Sequence, residues 1–146
     1  MIEAVLFDWV DTLVSDGDGD GDGPTVLASA QALLEALRAR GIKTGVVTRS
    51  SPAAGAFGLA QHLDVIVTSE ETPPGPLLHA CRELAVEPFA TMFVGDALGD
   101  VQEAANVGMT TVQALWFSAD DTQGVEPDFM AFTPMDVLNA VRRLAP

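Results

Sequence analysis

The sequence predicts one three-layer α/β/α domain built on a mainly parallel sheet of five or six strands. Short apolar runs alternate with segments of helical periodicity, and strands that alternate with helices pair in parallel through right-handed crossovers. A length of 146 residues suits one domain of ordinary size, and a hydrophobic share of 48% is that of a globular protein. The sequence has no internal repeat and no sign of a second domain, so we expect a single domain over residues 1–146.

The first half of the chain is predicted to alternate three strands with two helices. Apolar runs predict strands at residues 4–7, 44–47 and 65–67. One helix is expected to open at Pro24 and Thr25 and to end at Gly41, and another is expected over residues 52–61. Residues 15–23 alternate aspartate and glycine after Ser15, a composition that favours a linker that is neither helix nor strand.

The second half continues the same alternation. Helices are expected over residues 75–86, 97–107 and 134–144. Strands are expected over residues 91–94 and 110–115, with a short one near residues 128–132. Pro134 suits the first turn of the last helix. Polar residues that directly follow these strands are candidates for function, because parallel sheets bind ligands beyond the carboxyl ends of their strands.

The chain is strongly acidic, with 21 aspartates and glutamates against 7 lysines and arginines and a formal net charge of −14. Lys43 is the only lysine, so a broad basic face for nucleic acid is not expected. No apolar run approaches the roughly 18 residues of a membrane span, and the N-terminus lacks the basic start of a signal peptide. Cys81 is the only cysteine and has no partner for an internal disulfide, so a cytoplasmic location is the simplest expectation.

Three aspartates are expected to meet at one edge of the sheet. Asp8 ends the first strand, whereas Asp96 and Asp100 follow the fourth and lie four residues apart on one face of the helix that opens there. Clustered carboxylates repel one another unless a cation neutralises them, and ligands that are all oxygen suit Mg²⁺. The sequence therefore predicts a magnesium site, and the alternative is that Asp8 and Asp96 only cap helices.

Three segments, in the right order, resemble motifs of the haloacid dehalogenase-like hydrolases. Residues 7–13 are similar to the Asp-x-Asp-Gly-Thr-Leu segment after the family's first strand, and residues 45–48 are similar to its second motif, an apolar strand that ends in Thr or Ser. Residues 95–100 match its Gly-Asp-x-x-x-Asp motif, and the surrounding segment 92–109 is similar as well. The resemblance covers nearly the whole chain and implies a Rossmann-like core.

The resemblance also implies a role for each matching residue. Asp8 would be the nucleophile that accepts a phosphoryl group, and water would then cleave the aspartyl-phosphate. Mg²⁺ would be held by Asp8, by the backbone carbonyl of Val10 and by Asp96, with Asp100 as a further ligand or as a partner of the ligands. Thr48 would donate its hydroxyl to a phosphoryl oxygen.

The first departure from the family pattern concerns the general acid. Phosphatases of the family place a second aspartate two residues after the nucleophile, where this chain has Val10. Asp11 follows one residue later, and a shift of one residue after a strand normally turns a side chain away. Either a looser turn returns Asp11 to the site as the acid, or Asp11 only stabilises the turn.

The second departure is the absence of a lysine before the third helix, where the family has Gly-Lys-Pro-x-Pro-Asp. Lys43 precedes its strand and is expected at the opposite end of the sheet. Arg49, beside Thr48, is the base closest to the expected site and is predicted to contact a ligand. The alternative is that it is an ordinary solvent-exposed arginine.

The third departure is the cap domain that many members insert after the first motif. Here only the Asp/Gly segment of residues 15–23 joins that motif to the first helix, so we expect a capless member with an open site. An open site suits a phosphorylated small molecule or a phosphate on a larger partner, or closure by a second subunit. A flexible linker is the simpler interpretation of the segment. Calcium binding is the alternative, although no glutamate at loop position twelve supports an EF-hand.

The combined pattern predicts a Mg²⁺-dependent hydrolase of phosphate monoesters with weak or narrow activity. One alternative is a catalytically impaired relative that survives as a binding or interaction protein. Another is a dehalogenase-like hydrolase, because relatives of that kind also lack an aspartate two residues after the nucleophile. Those relatives need no magnesium, whereas Gly95, Asp96 and Asp100 resemble a retained metal site.

Overall fold

The computed structural model describes residues 1–8, 14–15, 25–26, 28–48, 60–68, 75–116 and 126–144. The strands in this part of the chain are β1 (Ala4–Phe7), β2 (Val14–Ser15), β3 (Thr25–Val26), β4 (Lys43–Thr48), β5 (Val65–Thr68), β6 (Thr91–Gly95), β7 (Thr110–Ala114) and β8 (Phe129–Ala131). The α-helices are α1 (Ala28–Ala39), α2 (Pro76–Leu84), α3 (Leu98–Asn106) and α4 (Pro134–Arg143). Short 3-10 turns lie at Ala60–His62 and Pro88–Ala90.

Six of these strands form one sheet in the order β5-β4-β1-β6-β7-β8, and each neighbouring pair is parallel. The chain starts at the centre with β1, adds β4 and β5 on one side, and then crosses to add β6, β7 and β8 on the other. The predicted parallel α/β architecture is therefore confirmed. The direction of strand addition reverses beside β1, and ligands of such sheets bind beyond the strand ends at that reversal.

The sheet is covered on both faces, and alternate residues of β1 belong to different cores. Val5 and Phe7 pack in a cluster with residues of α1 and α4, whereas Ala4 and Leu6 pack in a cluster with residues of α2 and α3. All four residues of β1 are fully buried, as the unbroken apolar run predicts. The three layers hold β1 between packed helices.

Two expectations for the segment after β1 are wrong. Ser15, expected in an irregular linker, pairs with Thr25 in an antiparallel hairpin formed by β2 and β3. Thr25, expected to open a helix, belongs to β3, and α1 begins only at Ala28. Val14, Thr25 and Val26 are β-branched and favour an extended backbone over a helix. Residues 16–24, which connect the two strands, lie outside the described residues.

The remaining elements agree closely with the prediction, apart from one helix that is not observed as predicted and one that ends two residues early. The helix expected over residues 52–61 falls mostly outside the described residues, and its last two positions, Ala60 and Gln61, lie in a 3-10 turn instead. The helix expected to reach Val86 ends at Leu84, because Ala85 adopts a left-handed backbone with a φ of 57°. In the described ranges no helix combines the length and apolar character needed to cross a membrane.

Candidate active site

The carboxyl edge of the sheet brings together residues from three neighbouring strands. Asp8 directly follows β1, Thr48 ends β4 on one side of it, and Asp96 follows β6 on the other. The backbone N–H of Asp8 donates to the carbonyl oxygen of Val94 at 2.9 Å, so the ladder between β1 and β6 continues to Asp8. Asp8 and Asp96 are partly buried, whereas Thr48 is only 3% exposed.

A cavity of about 280 Å³ opens at this edge, on the face of the sheet that α2 and α3 cover. Its polar lining comes from Asp8, Thr48, Asp100 and Glu103. Its apolar lining comes from Val47, Pro76, Leu77 and Phe93. Asp96 lies at the same edge of the sheet but does not line the cavity. The arrangement places the carboxylate of Asp8 and a buried hydroxyl against a space large enough for a small ligand.

Gly95 sits where the backbone of β6 passes close to Asp8. A Cβ built at this position would lie 2.7 Å from the Cε2 atom of Phe93 and 3.6 Å from the Cβ atom of Asp8. Contacts shorter than 3.0 Å require a neighbour to move, so a larger residue would displace the Phe93 ring from the cavity wall. The glycine of the Gly-Asp segment therefore has a steric reason in this fold.

Two carboxylates of α3 line the cavity because their spacing puts them on the same face of the helix. Asp100 lies in the first turn, where the positive end of the helix dipole favours a negative charge. Glu103 follows three residues later and so lies on the same face. Glu103 is absent from the predicted site, although its spacing from Asp100 indicates a shared helix face. Phe93 lies in the family-like segment 92–109 but is not among the predicted site residues, and Pro76 and Leu77 reach the cavity through tertiary packing.

The donor set at this edge suits magnesium better than a softer metal, because the side chains are carboxylates. No three histidine, cysteine, aspartate or glutamate side chains within the described ranges converge closely enough to hold a metal ion. Asp8 and Asp96 follow adjacent strands and offer two carboxylates. Mg²⁺ is commonly bound by one or two carboxylates while it keeps several waters, so the residues present fit this ion.

Lys43 lies at the first position of β4, at the opposite end from Thr48. Its Nζ atom donates to the backbone carbonyl of Leu84 at 2.6 Å, so it ties β4 to the end of α2. The expectation that Lys43 sits at the wrong end of the sheet to serve the site is confirmed.

Three predicted site residues, Val10, Asp11 and Arg49, lie outside the described residues. The backbone carbonyl of Val10 as a metal ligand, Asp11 as a general acid and Arg49 as a ligand contact therefore stay predictions. The same holds for calcium binding by the Asp/Gly segment, of which only Ser15 is described.

Comparison with known proteins gives consistent results. The family model of the haloacid dehalogenase-like hydrolases matches residues 18–108, more than half of the chain. A Clostridium perfringens protein that carries the name "Putative pyrophosphatase PpaX" is 31% identical over 129 residues, which cover 80% of this chain and 60% of that protein.

Solved structures show the same fold. A HAD phosphatase from Thermococcus onnurineus has a TM-score of 0.71 at 29% identity, over 81% of this chain and 59% of that chain. A 2-haloacid dehalogenase from Pseudomonas syringae has a TM-score of 0.85 at 18% identity, over 99% of this chain and 100% of that chain, and this likeness shows the fold alone. The chain thus spans about 60% of the length of the Clostridium and Thermococcus proteins. Since the family model, the related sequences and the sheet topology agree, the chain belongs to the haloacid dehalogenase-like hydrolase family.

Proposed function

We propose that the protein is a Mg²⁺-dependent phosphatase that hydrolyses phosphate monoesters through an aspartyl-phosphate on Asp8. The observation that carries this proposal is the shared cavity. Asp8 and Thr48, from the ends of adjacent strands, and Asp100, from the first turn of α3, line one space of about 280 Å³. The match to the family and the pyrophosphatase name of the Clostridium relative support phosphoryl chemistry.

In the first step, a carboxylate oxygen of Asp8 attacks the phosphorus and the bond from phosphorus to the leaving oxygen breaks. The phosphoryl group then resides on Asp8, and the leaving oxygen takes a proton, for which Asp11 is the candidate donor. In the second step, water attacks the same phosphorus and gives a proton to the Asp11 carboxylate that the first step left, the bond to the Asp8 oxygen breaks, and inorganic phosphate leaves. Asp8 returns to its carboxylate form.

Thr48 assists both steps by donating its hydroxyl to a phosphoryl oxygen. Its side chain is almost fully buried, so the hydroxyl is held in place before the substrate arrives. Asp8, Asp96 and the backbone carbonyl of Val10 would hold Mg²⁺, which supplies positive charge to the phosphate oxygens. Asp100, in the first turn of α3, would be a further ligand or a partner that orients the ligands.

The decisive experiment compares the wild type with Asp8→Asn and with Glu83→Gln, which removes an exposed carboxylate from α2. Purified proteins are incubated with a panel of phosphate monoesters and with pyrophosphate, in Mg²⁺ and in EDTA, and released phosphate is measured. Turnover should require Mg²⁺, disappear in Asp8→Asn and persist in Glu83→Gln. Turnover that survives Asp8→Asn would contradict the nucleophile assignment.

The specific observation that favours a second function is Val10 in place of the usual aspartate. A catalytically impaired binding protein would bind Mg²⁺ without turnover. In that case Val10→Asp, beside Val10→Asn as its control, should bring activity back, since a positioned general acid typically contributes about 10²–10⁴-fold. Failure of Val10→Asp to raise turnover would mean that the missing acid is not the cause.

In the dehalogenase alternative, the same nucleophile attacks a carbon atom instead of phosphorus. Asp8 would attack the carbon that carries the halogen, halide would leave, and water would cleave the resulting ester. Halide release from 2-haloacids, undiminished in EDTA, would favour this function over the phosphatase. The phosphatase proposal expects no halide release.

A further inference from the structure

Gln113, in β7, is the feature of the described residues that the proposed mechanism leaves unexplained. Its side chain is fully buried, and within the described part of the chain neither its amide nitrogen nor its amide oxygen has a hydrogen-bond partner. A buried amide without partners is unfavourable, and an apolar side chain of equal size would be preferred there. Such groups are rare in native proteins and tend to occur where function requires them.

Gln113 lies in one row with the candidate site. It is the register partner of Gly95, and Gly95 lies beside Asp8 because the Asp8 N–H donates to the carbonyl oxygen of Val94. Val112 and Ala114, its neighbours in β7, pack in the core with α1 and α4, so Gln113 faces the opposite layer, which contains α3. Asp8, Gly95 and Gln113 therefore lie side by side on three adjacent strands.

The middle position of this row has no side chain. Among the described residues, the atoms nearest to the place where a Cβ of Gly95 would be are the edge of the Phe93 ring, at 2.7 Å, and the Cβ atom of Asp8, at 3.6 Å. Just beyond Gly95 the chain passes through Asp96 into α3, whose N-cap residue, Ala97, has no side chain able to accept a hydrogen bond. An amide with unused donor and acceptor atoms thus lies one strand away from the turn that carries Asp96.

We propose that Gln113 is a positioning residue for this turn. When Asp96 binds a divalent cation, the turn of residues 95–97 settles against β7 and its backbone groups become the partners of the Gln113 amide. Burial of the amide would then be unfavourable in the metal-free protein and compensated in the metal-bound one, so that Gln113 and the cation favour the same position of Asp96. The inference rests on the proposed function, because it assumes that Asp96 is a ligand of Mg²⁺.

The test uses Gln113→Met, which keeps the length of the side chain and removes the amide, with Gln113→Leu as a second variant. Thr111→Val is the matched control. Thr111 lies two residues earlier on the same face of β7, and its hydroxyl is already paired with Asp128 at 3.2 Å. Thermal unfolding is measured without metal and across a Mg²⁺ titration, and the Mg²⁺ dissociation constant is measured by calorimetry.

Without metal, Gln113→Met should unfold at a higher temperature than the wild type, whereas Thr111→Val should unfold at a lower one. The Mg²⁺ dissociation constant should rise about 10-fold or more in Gln113→Met, as for other residues that support metal ligands, and stay unchanged in Thr111→Val. A stabilised Gln113→Met with wild-type Mg²⁺ affinity would overturn this inference and leave the proposed function standing. So would a destabilised Gln113→Met, if Gln113→Leu behaves in the same way. A wild type that binds no Mg²⁺ would overturn both the inference and the metal of the proposed function.

Discussion

At the residue scale, the candidate site combines side chains that differ in how firmly the fold holds them. Thr48 is 3% exposed, and its backbone belongs to β4. Asp8 and Asp100 are partly buried, and each lies just beyond a strand or in the first turn of a helix. Thr48 is therefore more deeply buried than Asp8 or Asp100, and a preorganised donor contributes most where charge develops in a transition state.

Replacing Thr48 with valine should lower kcat/KM of the proposed phosphatase by about 10²-fold, the usual effect of losing one preorganised donor. Valine has nearly the shape of threonine, so the fold should tolerate it, and urea unfolding measures what loss of the buried hydroxyl costs in stability. Thr48→Ser keeps the hydroxyl and should retain most of the activity. Steady-state kinetics on the three proteins check this prediction, which is wrong if valine and serine have the same effect.

The two glycines of the Gly95–Asp100 segment should respond in opposite ways to alanine. In Gly95→Ala the new Cβ would lie 2.7 Å from the Phe93 ring, and overpacking of this kind costs about 1–3 kcal/mol. In Gly99→Ala the new Cβ would have no described atom within 4 Å apart from its chain neighbours and its own helix backbone, and helical alanine is favoured over glycine by about 0.5–1 kcal/mol. Urea unfolding of both variants should show a loss of stability for the first and a gain for the second. Equal effects would contradict the packing argument at Gly95.

Motifs find the residues of the site that carry polar groups at strand ends, and they miss the residues that reach it by packing. Asp8, Thr48 and Asp96 can be predicted because a strand end is visible as an apolar run followed by a polar residue. Glu103 lies a helical turn beyond the Gly-Asp-x-x-x-Asp motif, and Gln113 looks like any polar residue in a strand. Their positions depend on which helix covers which strand, which depends on the order of strands in the sheet.

At the scale of elements, regular alternation of strands and helices is predictable, and the segment after β1 is not. Strands β1 and β4 to β8 all lie where apolar runs predict them, because parallel strands buried on both faces have a continuous apolar signal. The hairpin of β2 and β3 has only two residues in each strand. A strand this short has no periodicity to detect, and Pro24 and Thr25 carry a helix-start signal that the antiparallel pairing overrides.

The start of α4 is stabilised locally, and this contribution can be measured. The carboxylate of Asp136 accepts hydrogen bonds from the backbone N–H groups of Phe132, at 2.9 Å, and of Thr133, at 3.1 Å. Asp136→Ala removes both acceptors and should reduce the free energy of unfolding by about 1 kcal/mol. Asp136→Asn keeps an oxygen acceptor and should lose less. Because α4 packs with α1 on the face away from the cavity, phosphatase activity should be unchanged in both, and a parallel loss of activity would contradict this separation.

At the scale of the whole molecule, the central position of β1 links the site to both cores. Its residues alternate between the cluster under α1 and α4 and the cluster under α2 and α3, and Asp8 follows directly. The nucleophile of the proposed reaction is therefore attached to a strand that belongs to both cores. Local opening at the sheet edges, at β5 or β8, should leave Asp8 in place, whereas movement of β1 requires both cores to open.

Cys81, the only cysteine of the chain, offers a measurement of that global opening. It is 3% exposed in the cluster between the sheet and α2, and burial raises the pKa of its thiol. Only the thiolate reacts with alkylating reagents, so labelling of the folded protein near neutral pH should be much slower than labelling of the urea-unfolded chain, and it should accelerate only as the protein unfolds.

The raised pKa of Cys81 determines the direction in which the free energy of unfolding changes with pH. A raised pKa in the folded state means that the folded protein holds the thiol proton more tightly than the unfolded chain does. This contribution to stability is fully present below the pKa of the unfolded thiol, about 8.5, and is lost as the pH rises from there through the folded pKa. Cys81→Ser lacks an ionising thiol in this range and should lose less stability between neutral and alkaline pH than the wild type. Equal losses in urea titrations of the two proteins would contradict the raised pKa. Labelling of the folded protein as fast as that of the unfolded chain would show that the thiol is accessible without opening the core that holds it.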